Sequence, residues 1–418
     1  MNIKCRNTCR VCGNEYFADV IDLGEQYLQG AFVKEGVTRP SFRKIPNKIV
    51  RCDTSKNENA CGLVQTKHTV PPEIMYANYW YQSGVSLTMK NHLAGIVKKA
   101  LEYKASPEYV LDIACNDGTL LKNYPDSTKR FGVDPSNITG RLVNSDVTII
   151  NELFPSEKLK SLDKKFDIIT SIAMFYDLDD PALFVENIAQ NLHSKGIWCF
   201  EMAYLPFILD NLCYDTIVSE HLEHYHLAPI EYLLNKCNLK LVDAFVNDVN
   251  GGSIQCWAAH KDCFDFDNEQ SKLRIASIRA KEFDLALDDD KPYEIFRNKV
   301  CIQKYELLKL LDTIKGEGKR IHLYGASTKA NTLLGYCGID TNYIECAAER
   351  SPDKWGARTI SGIKIVSEDE SKKLKPDYYL VGPWHFKKEI LEREKETINS
   401  GVKFIFPLPS VTIVDRVN

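Results

Sequence analysis

From about residue 108 onward, short apolar runs alternate with stretches of helical spacing, and this alternation constrains the fold more than any other feature of the chain. Tyr109–Ile113, Arg130–Val133, Val147–Ile150, Phe166–Ile172 and Gly196–Phe200 read as strands, and the segment Pro181–Leu192 has the spacing of a helix. Parallel neighbours need long crossovers, usually helical, so the pattern predicts a largely parallel sheet covered on both faces. A charged, helix-favouring region over 269–316 follows. A second unit of the same kind then opens at Arg320-Ile-His-Leu-Tyr324-Gly325, with strands expected at Tyr343–Ala347, Asp377–Val381 and Lys403–Phe406. The chain's 418 residues are enough for two or three domains, and the two α/β units could share one architecture.

The region ahead of the first strand is of a different kind. Of fourteen cysteines most are expected to pack as small hydrophobes, but four stand apart. Cys9-Arg-Val-Cys12-Gly13 is a tight knuckle, and a second pair, Cys52 and Cys61-Gly62, follows about forty residues on with eight residues between its members. Two cysteine pairs from separate turns supply the soft ligands of a closed, structural Zn²⁺ site. Cys5 is an alternative ligand. The competing reading, a redox Cys-x-x-Cys, lacks a surrounding βαβ pattern. After the knuckle, residues 72–92 interleave aromatics with Ser and Gly, which suits either a loop over a ligand or a clamp between domains.

Charge and hydropathy exclude several classes. Lys+Arg total 53 against 57 Asp+Glu, a net charge of −4 without the basic excess of a nucleic-acid binder. No run of 18 apolar residues occurs, so no transmembrane helix is expected. The start, Met1-Asn-Ile-Lys-Cys-Arg, has no apolar signal-peptide core, and a cytoplasmic protein with thiols rather than disulfides is expected.

The first strand ends in Asp112-Ile-Ala114-Cys-Asn116-Asp117-Gly118-Thr119-Leu, an acid followed by a small-residue turn into a helix. This is how a Rossmann-like sheet receives a nucleoside at its carboxyl edge. The next strand ends in Val133-Asp134-Pro-Ser, placing a carboxylate for both ribose hydroxyls about twenty residues beyond Asp112. Only Gly118 stands where dinucleotide folds carry three glycines. A pyrophosphate needs close backbone approach; S-adenosylmethionine has none and tolerates Ala114 and Cys115. The turn therefore favours S-adenosylmethionine over NAD.

Taken in order, Cys9-x-x-Cys12, Tyr79-x-Tyr81-x-Ser83, Asp112-x-x-x-Asn116-Asp117-Gly118, Glu220-His221 and Gly325-Ala-Ser-x-Lys329 resemble the motifs of bacterial sugar C-methyltransferases. These are three-part enzymes that methylate carbon 3 of TDP-4-keto-deoxysugars, and the resemblance spans essentially the whole chain. It implies a small zinc-binding module over 1–77 and a central Rossmann-like class I methyltransferase domain over 78–288. A C-terminal Rossmann-like α/β domain over 289–418 would help hold the nucleotide sugar. It also implies that Glu220 and His221 are catalytic, with His221 the base. Tyr79, Tyr81 and His224 join them, and Tyr81 and Ser83 also join Asp112, Ala114, Asn116, Asp117, Gly118 and Asp134 at the cofactor.

The chemistry fits those residue types. Removing a proton beside a ketone needs a base, for which histidine is the natural choice, and the enolate needs a donor. The segment Tyr214–His226 is the densest cluster of such groups, and its Tyr225 is assigned to the substrate. Two departures from the family keep an alternative open. Val218-Ser219 stands ahead of Glu220 where family members carry Tyr-His, and Ala173-Met-Phe-Tyr176 stands where they carry a histidine. Tyr176 would then handle the proton, or the acceptor is a hydroxyl and the enzyme an O-methyltransferase. In the C-terminal unit, Ser327, Thr328, Lys329 and Asn331 open a helix suited to a diphosphate. Trp384 and His385 are left open, and Phe386 is assigned to the core. An NAD-dependent nucleotide-sugar oxidoreductase is the distant alternative, and a non-enzymatic reading, a zinc-knuckle scaffold or an RNA-modification partner, lacks the basic face it would need. The oligomeric state is left open.

Overall fold

The computed structural model of the chain describes residues 3–34, 44–71, 83–142 and 146–417. In chain order its strands are β1 (Lys4–Cys5), β2 (Phe17–Gln26), β3 (Ile45–Cys52), β4 (Val64–Thr66), β5 (His68–Thr69), β6 (Tyr109–Ile113) and β7 (Lys129–Val133). Then come β8 (Val147–Ile150), β9 (Phe166–Ile172), β10 (Leu192–Ala203), β11 (Glu223–His224), β12 (Leu239–Asn247) and β13 (Ser253–His260). The last are β14 (Ile321–Tyr324), β15 (Cys346–Glu349), β16 (Lys364–Ser367), β17 (Tyr378–Val381), β18 (Lys403–Phe406) and β19 (Thr412–Val414).

The central sheet has the order β12-β13-β10-β9-β6-β7-β8, parallel from β8 to β10, with β13 antiparallel to both its neighbours. Its strands are apolar on both sides, as burial on both faces demands: Val110, Leu111, Ile168, Ile169, Ile197 and Trp198 are all buried. Helix Leu87–Tyr103 covers one face through Met89, Leu93, Ile96, Val97 and Ala100, and Ser86 caps it by accepting from Met89 N. Helices Pro181–Asn191 and Leu227–Lys236 pack with the core on the other face. Chain order reverses between β6 and β9, so their carboxyl ends diverge and open the crevice where α/β sheets bind ligands.

The C-terminal sheet runs β16-β15-β14-β17-β18-β19, parallel except for β19. Numbered within the unit this is the Rossmann order 3-2-1-4-5-6, with its own switch point between β14 and β17. The N-terminal sheet is antiparallel, β11-β4-β3-β2. Its fourth strand, β11, comes from the span of the central domain. Helix Lys291–Gly316 packs across β2, where Arg297 Nη1 donates to the carbonyls of Asp19 and Val20 at 2.9 Å each.

Two local expectations are corrected. The turn after β6 leads into a single 3₁₀ turn, Leu121–Asn123, rather than a longer helix, because Pro125 follows and cannot continue it. The strand expected from Tyr343 begins at Cys346, since the amides of Tyr343 and Ile344 both close back on Asp340 O. No described helix is long and apolar enough to cross a membrane.

Candidate active site and metal centre

The four knuckle cysteines converge. Gly13 N donates to Cys9 O (3.0 Å) and Cys9 N to Asn14 O (2.8 Å), a turn that needs the left-handed backbone of Gly13, φ +76°. Gly62 repeats that conformation after Cys61, and Cys52 ends β3. The Cys9–Cys61 and Cys12–Cys52 sulfurs lie 3.6 and 3.4 Å apart, and all four fall within 4.8 Å of one another. A tetrahedral zinc with Zn–S of about 2.3 Å sets its sulfurs about 3.8 Å apart, so the donor set fits that ion in number, softness and spacing. Asn14 Nδ2 donates to Cys52 Sγ (3.4 Å), the outer-shell support typical of such sites. Cys5 is exposed on β1 and stands outside the cluster.

Arg10, inside the knuckle, is buried. Its Nη1 donates to Gln65 Oε1 (3.1 Å) and Thr66 O (2.8 Å), its Nη2 to Thr66 Oγ1 (3.2 Å) and Thr69 Oγ1 (2.6 Å). Its Nε stands 3.6 Å from Asp179 of the central unit.

At the carboxyl edge of the central sheet, Ala114, Asn116 and Gly118 all take positive φ. Asp134 accepts from Asn116 N (2.9 Å) and Ser136 N (2.8 Å), which fixes its carboxylate between the turns that follow β6 and β7. Asn116 Oδ1 accepts from Ser83 N (3.1 Å) and Asp117 Oδ2 from Gly84 N (2.8 Å), so these side chains bring the Ser83 segment onto the turn. A Cβ on Gly84 would sit 2.6 Å from Asp117 Oδ2, a closeness only glycine allows. Asp112 is buried and accepts from Thr170 Oγ1 (2.6 Å); burial pushes its carboxyl up to about 7, against that hydrogen bond. It ties β6 to β9. Tyr79 and Tyr81 lie outside the described residues.

The histidine segment runs where the N-terminal, central and C-terminal units meet: its β11 joins β4, and its Tyr214 hydroxyl lies 3.6 Å from Cys337 Sγ. His221 Nδ1 donates to Thr216 O at 2.8 Å, leaving Nε2 with the lone pair, and its ring packs against Tyr176 with centroids 4.3 Å apart. Burial, then Lys329 and His224, pull its pKa down to about 3, so the imidazole is neutral. The neighbouring Glu220 does not orient it. Glu220 points toward Gly30, where a Cβ would come within 2.2 Å of Oε1, its Oε2 has no partner, and burial pushes its carboxyl up to about 7. His224, on β11, is buried with Nε2 unpartnered and its pKa held down to about 4 by burial.

Two residues assigned to the substrate are placed elsewhere. Tyr225 is fully buried, its hydroxyl donating to Glu223 Oε2 (3.2 Å) and its ring 5.2 Å from Phe175, in the core beneath the zinc module. Asn331 is also buried and donates to Gln29 O (2.7 Å), fastening its helix to the N-terminal module. His226 likewise lies behind the knuckle, where a Cβ on Gly62 would sit 3.6 Å from its Nε2. Ser327 caps helix Thr328–Cys337, its Oγ accepting from Ala330 N (3.1 Å), and Lys329 Nζ donates to Asn250 O (2.8 Å) of the central unit.

Sequence reasoning assigned no role to Asp215. It is buried, with Oδ2 accepting from Trp384 Nε1 at 2.8 Å and Oδ1 unpartnered. His385, left open, joins it: its Nδ1 is unpartnered and Lys329 lies within electrostatic reach of both. Phe386 packs on the C-terminal core as expected.

Three family models match this chain: "Putative zinc binding domain" over 9–76, "Methyltransferase domain" over 87–244 and "C-methyltransferase C-terminal domain" over 248–409. The chain is 25% identical over 415 residues to C-methyltransferase NovU of Streptomyces niveus, covering 97% of this chain and 96% of that protein. It is 32% identical over 103 residues to a tRNA U34 carboxymethyltransferase of Aliarcobacter butzleri, 22% of this chain and 33% of that protein. Among solved structures, an S-adenosylmethionine-dependent methyltransferase from Clostridium acetobutylicum matches with a TM-score of 0.35 and 17% identity, over 41% of this chain and 92% of that one. With a methyltransferase domain built on a Rossmann-like sheet, the protein is an S-adenosylmethionine-dependent methyltransferase. Its zinc module and C-terminal unit complete the definition: it belongs to the three-domain C-methyltransferase family.

Proposed function

We propose that the enzyme methylates a carbon beside a ketone in a nucleotide-linked sugar, with His221 as the general base. The observation that carries this reading is the Nδ1 hydrogen bond to Thr216 O, which presents a neutral imidazole with its Nε2 lone pair free. Relation to a full-length C-methyltransferase supports carbon over oxygen as acceptor. Ala114–Gly118 would hold the cofactor, with Asp134 as the acid for its ribose, and Asn116 and Asp117 fasten the Ser83 segment to that turn. Bound S-adenosylmethionine supplies the methyl group as an electrophile on sulfonium sulfur. The chain's own part is to break the C–H bond: the proton passes to His221 Nε2 and the electron pair spreads onto the ketone oxygen. Tyr176 braces the imidazole ring, and Glu220, carboxyl and unpartnered at Oε2, accepts from an acceptor hydroxyl.

The test is incubation with S-adenosylmethionine and a panel of nucleotide sugars, 4-keto and fully hydroxylated, read by mass spectrometry. His221→Asn is expected to lose about 10²–10⁴-fold in turnover while binding S-adenosylmethionine normally. Methylation confined to the hydroxylated sugars, or full activity in His221→Asn, overturns the reading.

A further inference from the structure

We propose that the Lys329 ammonium receives the negative charge of the enolate, at the domain junction where Asp215, His385 and His221 also meet, rather than binding the diphosphate of the nucleotide. This rests on the acceptor reading above.

Lys329 lies in the first turn of helix Thr328–Cys337, the place where an anion would be expected. At that helix start Ser327 Oγ takes Ala330 N (3.1 Å), and Asn331 N makes the first intrahelical bond, to Ser327 O (3.0 Å). The side chain leaves that end and crosses to the central unit, where Nζ donates to Asn250 O at 2.8 Å. The turn that holds this carbonyl is fixed. Asn250 is left-handed (φ 56°, ψ 21°), and a Cβ on Gly252 would fall 2.3 Å from Phe207. Gly252 O also accepts from Tyr204 N at 3.2 Å. The ammonium is therefore held at one point of the domain junction by rigid backbone.

That point is beside the base. Gly251, next to the carbonyl that Lys329 grips, faces Cys213 Sγ and the Cβ of His385, each 3.8 Å from where its own Cβ would stand. Asp215 is joined to Trp384 beside His385, and His221 is joined to Thr216 beside Asp215, so one segment of the central unit and one of the C-terminal unit meet around the ammonium. Among the described residues it closes no ion pair with Asp215, whose Oδ1 has no partner although the residue is 1% exposed. His385 Nδ1 is unpartnered as well. Buried polar atoms left unpaired around a fixed cation mark a place where a ligand's polar atoms complete the hydrogen bonding. A ketone flanked by a hydroxyl has the matching groups: its oxygen faces the ammonium as negative charge develops, and the hydroxyl donates to Asp215 Oδ1. In the step itself the C–H bond breaks, its proton goes to His221 Nε2, and its electron pair ends on the oxygen beside Lys329. The resting cation also disfavours protonation of His221, keeping the base available.

Lys329→Met and Lys329→Arg separate the two roles. Binding is measured by calorimetry with TDP and with S-adenosylhomocysteine. Proton removal is measured as solvent deuterium entering a TDP-4-keto sugar, with S-adenosylhomocysteine present so that no methyl is transferred. Lys329→Met is expected to bind both ligands within about twofold of wild type and to lose about 10²–10³-fold in exchange. Lys329→Arg, which keeps the charge, is expected to retain at least a tenth of the wild-type exchange. A tenfold or greater loss of TDP affinity in Lys329→Met with exchange intact at saturation overturns the proposal in favour of the diphosphate. Equal loss of exchange in both variants overturns the role of charge. Absence of exchange in the wild-type enzyme overturns the acceptor reading and this proposal together, whereas exchange in wild type that Lys329→Met leaves unchanged overturns this proposal alone.

Discussion

Arg10→Met isolates what the zinc knuckle does for the rest of the molecule. Methionine keeps the length and apolar body of the side chain and removes only the guanidinium, which donates four hydrogen bonds to Gln65, Thr66 and Thr69 in a buried site. Thr69 also donates to Asp179 (3.2 Å), so the N-terminal module and a loop of the central unit meet at this one cation. The two threonine hydroxyls can turn to new acceptors, but Gln65 Oε1 retains only the Arg10 N contact (3.2 Å) and Thr66 O loses its donor. Truncating one partner of a buried charged network costs about 3–5 kcal/mol, and the partial rescue of the hydroxyls puts this variant near the low end of that range. Urea unfolding of the zinc-loaded protein reads the loss directly. The effect should reach the chemistry, because Thr66 N donates to Leu222 O (2.8 Å) and Leu222 N to Tyr176 O (2.7 Å), framing His221. Turnover is therefore expected to fall while S-adenosylmethionine affinity stays within about twofold. A loss below about 1 kcal/mol with unchanged turnover would refute the idea that the knuckle braces the base.

Protein prepared without chelator is expected to contain one zinc per chain by metal analysis, and Cys9→Ser to lose the metal and unfold more easily; metal-free wild-type protein would sink the assignment. Asp134→Asn should weaken S-adenosylmethionine binding in calorimetry. It should also cost some stability, since the same carboxylate holds two turn amides, and unchanged affinity removes the ribose role. Stability should fall as pH rises from 6.5 to 8.5. Burial raises Asp112, Glu220 and Glu282 to about 7 and Glu223 to about 8, so above the ordinary carboxyl range the folded state holds protons that the unfolded chain has released, and the last of this contribution is lost as pH passes 7 to 8. The depressed His221, His224 and His226 work the other way, adding stability as the unfolded imidazoles shed their protons around pH 6.5, and this opposition is spent above about pH 7.5. A flat or rising midpoint in thermal scans refutes the assignment.

What was legible in the sequence was local. The cysteine spacing anticipated the cluster because two turn glycines and four thiols lie in short motifs, and Asp134 announced itself as the acid ending the second strand. The C-terminal unit repeats that device less visibly: Glu349 ends β15 and accepts from Ala326 N (3.0 Å), Arg350 N and Ser351 N (2.9 Å each). The misplacements came from long-range contacts. Tyr225 and Asn331 have polar side chains in motif-rich segments, yet both are buried by residues of the N-terminal module far away in sequence. Asp215 meets Trp384 across 169 positions, beyond any periodicity. Strand β11 has two residues and no alternation to detect; only its partner β4 defines it.

That pairing has a consequence for synthesis. As the chain leaves the ribosome, β2, β3 and β4 can assemble early, but the free edge of β4 cannot be covered until Glu223–His224 has been made, more than 150 residues later. At about 5–20 residues per second that is roughly ten to thirty seconds with an unpaired strand exposed. Two features shorten the risk: the edge is only three residues long, and Arg10 already occupies Thr66 O. The N-terminal module is thus the first part to emerge and among the last to be finished, and expressed by itself it would keep that open edge.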